Sequence, residues 1–217
     1  MSTGFDIGAA SARLRPGRAL VIVDADEVLL RFVDGFDRFL CEKSLFLDLS
    51  SYRLHGNVKR LDDATPILDV EVTALLDEFR EELDSLNIVE GAANALSTIA
   101  QRADIVVLTN IAPIQAPARL RNLATHGLNF PIVANSGLKG PAVKALAVRA
   151  AQAFFIDDIP QHLASVAEAA PEVFRIHLIG DERLKPLLPP APHAHLRAQD
   201  WAEASAFVHA RLDEAGH

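Results

Sequence analysis

The sequence predicts an α/β fold in which a parallel, Rossmann-like sheet is flanked by helices, with a small α-helical cap inserted after the first strand. Short apolar runs rich in Val, Ile, Leu and Phe alternate with segments whose apolar residues recur every three or four positions. This alternation is typical of parallel strands joined by crossover helices. One interval between the runs is far longer than a single crossover helix needs, which indicates an insertion.

Five apolar runs are predicted strands, because each is continuous and short, as expected of a strand buried on both faces. These runs are residues 19–23, 105–108, 130–134, 153–156 and 173–179. The segments between the later strands, the segment before the second strand and the end of the chain have apolar residues at helical spacing. The predicted helices are residues 89–103, 114–126, 141–151, 161–170 and 201–212.

The long interval lies between Asp24 and Thr109, which follow the first and second predicted strands. Residues 31–43 and 67–86 within it have helical spacing, whereas the polar segment 50–65 has no regular period. We therefore expect a helical cap domain over residues 31–87. The remaining residues, 1–30 and 88–217, are expected to form the α/β core domain.

Composition excludes several classes of partner. The formal charge of −8 opposes a sequence-independent grip on nucleic acid, which needs clustered Lys and Arg. No apolar run approaches the roughly 20 residues of a membrane span, and residues 1–17 lack the apolar core of a signal peptide. Cys41 is the single cysteine, so no internal disulfide forms. We expect a soluble cytoplasmic protein that binds neither nucleic acid nor membrane, with an oligomeric state that no pattern specifies.

Polar residues with recognisable chemistry stand at the ends of the predicted strands or at the start of the next helix. In chain order they are Asp24 and Asp26, Thr109 and Asn110, Lys139, and Asp157 and Asp158. Ligands of open parallel sheets bind outside the carboxyl ends of the strands, where this set would gather. Any one of these motifs also suits a surface turn, a helix cap or a solvated lysine. Four motifs in order, each on the expected element, favour a functional site.

This order and placement resembles the haloacid dehalogenase-like superfamily, whose four motifs all have a match between about residues 20 and 162. The resemblance implies that Asp24 is a nucleophile that forms an acyl phosphate, which splits one difficult displacement into two easier ones. It also implies that Asp26 protonates the leaving oxygen and later activates water.

The same resemblance implies a magnesium ion and a phosphate site. The carboxylates of Asp24 and Asp26 would repel each other and an incoming phosphate, so a hard divalent cation with oxygen ligands suits them. The implied metal residues are Asp24, the backbone carbonyl of Asp26, and Asp158, with Asp157 beside it. The implied phosphate ligands are Thr109, Asn110 and Lys139. Lys144 is a rival for the lysine role, but it lies a turn inside the predicted helix.

One residue departs from the family pattern. An Asp or Asn usually stands four residues beyond the metal-binding acid, and this chain has His162 there. A neutral imidazole accepts a hydrogen bond from a metal-bound water or binds a softer metal, but it supplies no negative charge. A helix-surface histidine with no role fits the sequence equally well.

The resemblance implies a metal-dependent phosphohydrolase that acts on a small phosphorylated metabolite through an aspartyl-phosphate intermediate. The predicted cap would limit access, and its polar segment offers Arg53, His55, Lys59 and Arg60 for selecting the substrate. A phosphotransferase or mutase would use the same residues, and a non-catalytic ligand-binding protein would keep the same fold. A 2-haloacid dehalogenase-type hydrolase would also use an aspartate nucleophile, but it needs no general acid, so Asp26 argues against it.

Overall fold

The strands and helices were located in a computed structural model, which describes residues 4–216. Residues 1–3 and 217 of the predicted core lie outside the described residues. In chain order the strands are β1 (Ala19–Val23), β2 (Leu45–Leu47), β3 (Val58–Arg60), β4 (Ala103–Asn110), β5 (Ile132–Asn135), β6 (Ala153–Asp157), β7 (Phe174–Leu178) and β8 (Leu196–Ala198). The helices are α1 (Ile7–Ser11), α2 (Phe32–Glu42), α3 (Asp69–Phe79), α4 (Ala92–Ile99), α5 (Ala116–Thr125), α6 (Gly140–Ala147), α7 (Pro160–Ala169) and α8 (Trp201–Glu214).

Six strands form one sheet with the order β5-β4-β1-β6-β7-β8, and every pair in it is parallel. The central strand β1 lies between β4 and β6, and Val23 is in register with Val107 and Ile156. The carboxyl ends of these three strands therefore meet at one edge of the sheet. The predicted parallel sheet is confirmed, and its first, second and fourth predicted strands deliver their polar ends to one place.

Helices cover both faces of the sheet, which explains why β1 is apolar at every position. Val21 and Val23 pack in one hydrophobic cluster with side chains of α4, α5 and α8. Leu20 and Ile22 point to the opposite face and pack in a second cluster with α1, α6 and α7. A strand covered in this way needs apolar residues on both sides, so the sequence shows a run and no alternation.

Residues 31–87, which we call the insert, contain α2 and α3 and follow β1 in the chain. Phe36 and Phe39 of α2 pack against Phe79 of α3, with ring centroids 5.3 and 5.4 Å apart. The insert is not only helical, because β2 and β3 form an antiparallel two-stranded ribbon between the helices. Its apolar side chains belong to the same cluster as one face of the core sheet.

The remaining differences from the sequence prediction concern short elements and helix ends. The predicted helix over 67–86 ends at Phe79 and continues only as a 3-10 turn, Arg80–Glu82. Helix α1 and strand β8 were not predicted, because elements of five and three residues carry too little periodicity. Within the described residues, no helix combines the length and apolar character that crossing a membrane requires.

Candidate active site

A buried lysine joins two carboxylates at the carboxyl end of the central strand. Nζ of Lys139 lies 2.6 Å from Oδ1 of Asp24 and 2.8 Å from Oδ2 of Asp157. Lys139 is only 1% exposed. A buried ammonium is tolerated when it is paired in this way, and the two carboxylates raise the pKa of Lys139 above its usual range despite the opposing effect of burial. Lys139 is therefore a cation at neutral pH.

The position of Lys139 depends on a close approach between two helices. Lys139 precedes α6, and the backbone amide of Gly140 donates a hydrogen bond to Oγ of Ser165 in α7. A Cβ atom at Gly140 would lie 2.2 Å from the backbone oxygen of Ser165. Only glycine permits this contact, which holds the start of α6 against α7 and directs the lysine inward.

Asp158 lies beside this ion pair and faces a residue of the insert. Oδ2 of Asp158 accepts a hydrogen bond from the hydroxyl of Tyr52. Both oxygens of the neighbouring Asp157 are engaged, because Oδ1 accepts from the backbone amide of Ile159 at 2.8 Å and Oδ2 accepts from Lys139. Burial, followed by repulsion from Asp157 and Asp24, raises the pKa of Asp158 well above its usual range.

Carboxylate oxygens of Asp24, Asp157 and Asp158 all lie within 4.8 Å of one another. One ammonium does not balance three buried carboxylates, and burial together with repulsion from Asp24 also raises the pKa of Asp157. The donor set consists only of oxygen, which suits a hard divalent cation such as Mg²⁺. Because the oxygens of Asp157 are already engaged, Asp24 and Asp158 are the carboxylates best able to bind such an ion.

Asp26 contacts a buried arginine. Nη2 of Arg119, a residue with no exposed surface, lies 2.6 Å from Oδ1 of Asp26, whose side chain is 28% exposed. Burial raises the pKa of Asp26, and the guanidinium of Arg119 opposes that change. None of the three guanidinium nitrogens of Arg119 has a hydrogen-bond partner among the described residues, and neither has Oδ1 of Asp26, so the contact is an ion pair without hydrogen-bond geometry. The guanidinium therefore holds Asp26 through one oxygen.

Glu27 links the loop after β1 to the insert. Its Oε1 accepts a hydrogen bond of 2.6 Å from the backbone amide of Val33, in the first turn of α2. Its φ of +57° lies in the left-handed region that glycine favours. The backbone oxygen of Glu27 accepts from the amide of Gly180, so contacts on both sides hold this conformation. Burial raises the pKa of Glu27 to about 8.

Thr109 and Asn110 are the last two residues of β4, which lies beside β1. Thr109 is fully buried, and its hydroxyl has no hydrogen-bond partner among the described residues. The side-chain amide of Asn110 donates to the backbone oxygen of Gly137 at 3.0 Å and accepts from Asn135 at 2.8 Å. Asn110 thus ties the end of β4 to the loop before Lys139, while the threonine hydroxyl stays available.

The two residues whose roles were left open have defined positions. Nε2 of His162 lies 3.4 Å from Nδ2 of Asn110, and His162 lines the cavity beside the acidic cluster. Burial, with a further contribution from Lys139, lowers its pKa to about 4, so the imidazole is neutral at pH 7. Lys144 is exposed on α6 and does not reach the site, whereas Lys139 does.

A cavity of about 320 Å³ opens over the acidic cluster, between the core and the insert. Its lining residues come from both parts of the chain: Asp24, Asp26, Glu27, Asn110, Lys139, Asp158, Ile159, His162 and Leu184 from the core, and Phe32, Val33, Leu49, Ser51, Tyr52, Arg53 and Leu54 from the insert. Any molecule that reaches Asp24 therefore touches residues of the insert.

Of the four basic residues that the sequence offered for substrate selection, only Arg53 lines this cavity. His55 hydrogen-bonds Thr73 at 3.0 Å, and Lys59 pairs with Asp48 at 2.5 Å. Arg60 is exposed at the end of β3. The structure thus brings the acids, Asn110 and Lys139 together around the cavity and leaves His55, Lys59 and Arg60 outside. Thr109 is buried at the end of β4 and does not line the cavity.

Sequence reasoning missed three residues of the site: Tyr52, Glu27 and Arg119. Only Arg119 had a signal in the sequence. It lies three residues after Ala116 and four before Leu123, so it is a charged residue on the apolar face of a helix. Such a residue is expected to be buried against a partner of opposite charge.

No protein-family model matches the chain, and no curated protein matches it. Several solved structures are similar to it. A haloacid dehalogenase family hydrolase from Deinococcus radiodurans, with bound phosphate and sodium, is 21% identical over 93% of this chain and 97% of that one, with a TM-score of 0.57. A defluorinating L-2-haloacid dehalogenase is 12% identical over 90% and 96%, with a TM-score of 0.59.

A third similar structure is CbbY from Rhodobacter sphaeroides, in complex with xylulose-(1,5)bisphosphate. It is 15% identical to this chain over 86% of it and 96% of CbbY, with a TM-score of 0.54. Structural similarity at such low sequence identity shows a shared fold, and it does not show a shared function. The chain has the haloacid dehalogenase-like fold, which confirms the resemblance at the level of structure.

Proposed function

We propose that the protein is a metal-dependent phosphohydrolase that acts on a small phosphorylated metabolite through a covalent intermediate on Asp24. The observation that supports this most strongly is the buried cluster at the end of β1, where Asp24 lies against Lys139 and beside Asp158 at the base of a cavity. Structures of the same fold hold phosphate or a sugar bisphosphate. Those ligands belong to other proteins, and what they share, a phosphate group, supports a phosphorylated substrate here.

In the proposed first step, a carboxylate oxygen of Asp24 attacks the phosphorus and forms an acyl phosphate as the bond from phosphorus to the ester oxygen breaks. Lys139 holds the carboxylate in place and stabilises the charge that develops on the phosphoryl oxygens. The unpartnered hydroxyl of Thr109 and the backbone amide of Asn110 are suited to receive those oxygens.

Asp26 is proposed to move the protons. It lines the cavity, so its free oxygen can donate a proton to the leaving ester oxygen. The resulting carboxylate then accepts a proton from the water that attacks the acyl phosphate, which releases inorganic phosphate and restores Asp24. The raised pKa of Asp26 favours the protonated form that the first step needs.

Asp24, Asp158 and the backbone carbonyl of Asp26 are proposed to hold Mg²⁺. The bound cation would supply positive charge that offsets the repulsion among these carboxylates and an incoming phosphate. Asp157 is proposed to support the site indirectly, since its two oxygens anchor Lys139 and the loop at Ile159.

The insert is proposed to act as a cap, and Arg53 as a residue that contacts the substrate at the rim. A cavity of this size excludes a bulky macromolecular substrate from the base of the site.

The single Cys41 is exposed and free. A reducing compartment suits it, and we propose a cytoplasmic location.

A test is hydrolysis of an aryl phosphate and a panel of small phosphorylated metabolites, with Mg²⁺, with Mn²⁺ and with a chelator. We expect metal-dependent turnover that Asp24→Asn abolishes and that the control Asp62→Asn, at an exposed position of the insert, preserves. Turnover unaffected by Asp24→Asn would overturn the proposal. Halide release from a 2-haloacid without added metal would instead favour a dehalogenase.

A further inference from the structure

We propose that the substrate's leaving group is small and apolar, with few or no free hydroxyls, so that the preferred substrates are phosphomonoesters of apolar alcohols. This inference rests on the proposed function and names its substrate class. It comes from the chemistry of the residues that line the cavity. Most of the charged ones, Asp24, Asp26, Lys139 and Asp158, are already assigned to the proposed reaction and metal site, and much of the remaining lining is apolar.

Six apolar side chains from both parts of the chain line the cavity, and we call them the apolar wall. They are Phe32, Val33, Leu49, Leu54, Ile159 and Leu184. Val33 and Leu184 are almost fully buried, and the ring of Phe32 packs edge-on against Phe79 at 5.2 Å. Five of the six side chains, all but Ile159, therefore belong to the hydrophobic core or pack against it.

Three backbone carbonyls of the insert loop, the segment 48–57 between β2 and β3, are engaged within the loop. The buried side-chain amide of Asn57 donates to the backbone oxygens of Ser51 and Arg53, at 3.0 and 2.9 Å. The backbone amide of Asn57 donates to the oxygen of Leu54 at 3.1 Å. These carbonyls already have donors, and a ligand hydroxyl gains little from them.

The side-chain hydroxyls of the same loop are also engaged. The hydroxyl of Ser51 accepts a hydrogen bond from Asn57 at 2.9 Å, and the hydroxyl of Tyr52 donates to Asp158. Among the insert residues that line the cavity in the described part of the chain, Arg53 is the only charged one, and it is exposed at the rim. A sugar ring would therefore bury several hydroxyls against carbon, which is unfavourable.

The size of the cavity limits the leaving group as well. Its volume of about 320 Å³ must also hold the phosphoryl group, and it lies at the small end of the range of small-molecule sites. An apolar ring or a short alkyl chain fills the remaining space and gains free energy by leaving water.

The test compares two esters of similar size that differ mainly in hydroxyl groups: cyclohexylmethyl phosphate and glucose-6-phosphate. Wild-type kcat/KM with Mg²⁺ is measured for both, and calorimetry measures their binding to Asp24→Asn, where no covalent step occurs. We expect the apolar ester to be preferred by at least about tenfold in both measurements, because its ring carbons are buried and it leaves no buried hydroxyl unpaired.

A matched pair of insert variants locates the preference. Leu54→Asn, in the apolar wall, should reduce the ratio of kcat/KM for the apolar ester to kcat/KM for the sugar phosphate severalfold. Leu61→Asn, at a position that is 63% exposed and outside the cavity, should preserve this ratio. Equal use of the two esters, or a preference for the sugar phosphate, would overturn the inference and leave the phosphohydrolase standing.

Binding separates the two proposals. If Asp24→Asn binds the apolar ester more tightly but the wild type hydrolyses neither ester nor an aryl phosphate, the proposed function fails and the apolar site stands. Failure of Asp24→Asn to bind either ester would overturn the apolar-substrate inference whether or not the wild type turns over other esters.

Discussion

Nη2 of Arg119 lies 2.6 Å from Oδ1 of Asp26, and the guanidinium that makes this contact is completely buried. Asp26 is the residue proposed to carry protons, and its side chain also reaches the cavity. One oxygen is thus held from behind by α5 while the carboxyl group faces the substrate. We interpret Arg119 as a positioning residue that orients Asp26 without touching the substrate.

Arg119→Met should lower kcat by about 10- to 100-fold with little change in KM, because proton transfer contributes about 10²- to 10⁴-fold and depends on the orientation of Asp26. The free energy of unfolding should fall by less than about 3 kcal/mol, because loss of one partner of a buried ion pair costs about 3 to 5 kcal/mol and the carboxylate left behind on Asp26 is partly exposed to water. Arg121→Met, at an exposed position two residues along the helix, should change neither quantity. An unchanged kcat in Arg119→Met would contradict this role.

Lys139→Met should abolish turnover and lower the free energy of unfolding by about 3 kcal/mol, because it leaves buried carboxylates without their ammonium. Urea denaturation in chelator measures the second effect. Lys144→Met, in the exposed rival lysine, should leave activity intact and stability within about 0.5 kcal/mol. Loss of turnover in Lys144→Met with activity intact in Lys139→Met would contradict this prediction and assign the phosphate-binding role to Lys144.

Tyr52→Phe removes the hydrogen bond that joins the insert to Asp158. The loss of about 1 kcal/mol should raise the population of conformations in which the insert loop has left the site, by about fivefold. Tryptic cleavage after Arg53 should accelerate accordingly, while cleavage after Arg211 in α8 serves as the internal control. Equal cleavage rates at Arg53 in the two proteins would mean that the hydroxyl does not hold the loop.

His162 predicts a pH dependence of stability. Because its pKa is lowered to about 4 in the folded protein, the unfolded chain binds more protons between that pH and about 6.5. The free energy of unfolding should therefore rise with pH across this window, by about 1 kcal/mol once solvent screening of a half-buried group is included. His162→Asn should flatten this part of the profile, whereas His193→Asn, at an exposed loop position, should not. Parallel wild-type and His162→Asn profiles in chelator would rule out this cause.

The sheet and the acidic cluster were accessible from the sequence for a physical reason. A parallel strand buried on both faces leaves a continuous apolar run, and its carboxyl end is marked by the first polar residues, as at Asp24 and Asp157. Parallel register then brings these ends to one edge of the sheet without further information. The order of the strands is not written in any one run, and only the structure shows it.

Contacts between distant segments were not accessible. Arg53, His55 and Lys59 are all polar residues of one irregular segment, and only the folded insert shows that Lys59 pairs with Asp48 while Arg53 faces the cavity. Strands β2 and β3 are three residues each, too short for a period to be recognised. Tyr52 reaches Asp158 across 106 positions, a pairing that no local pattern indicates.

The central claim, that Asp24 is the nucleophile, is tested most directly by trapping the intermediate. The protein is mixed with an aryl phosphate and Mg²⁺, quenched in acid within one turnover and digested with trypsin. Fragmentation mass spectrometry of the peptide 19–31, which holds Asp24 and Asp26, should place one added phosphoryl group on Asp24 and none on the Asp24→Asn variant. A phosphoryl group on another residue, or an unmodified Asp24 in every sample taken while product accumulates, would contradict the account.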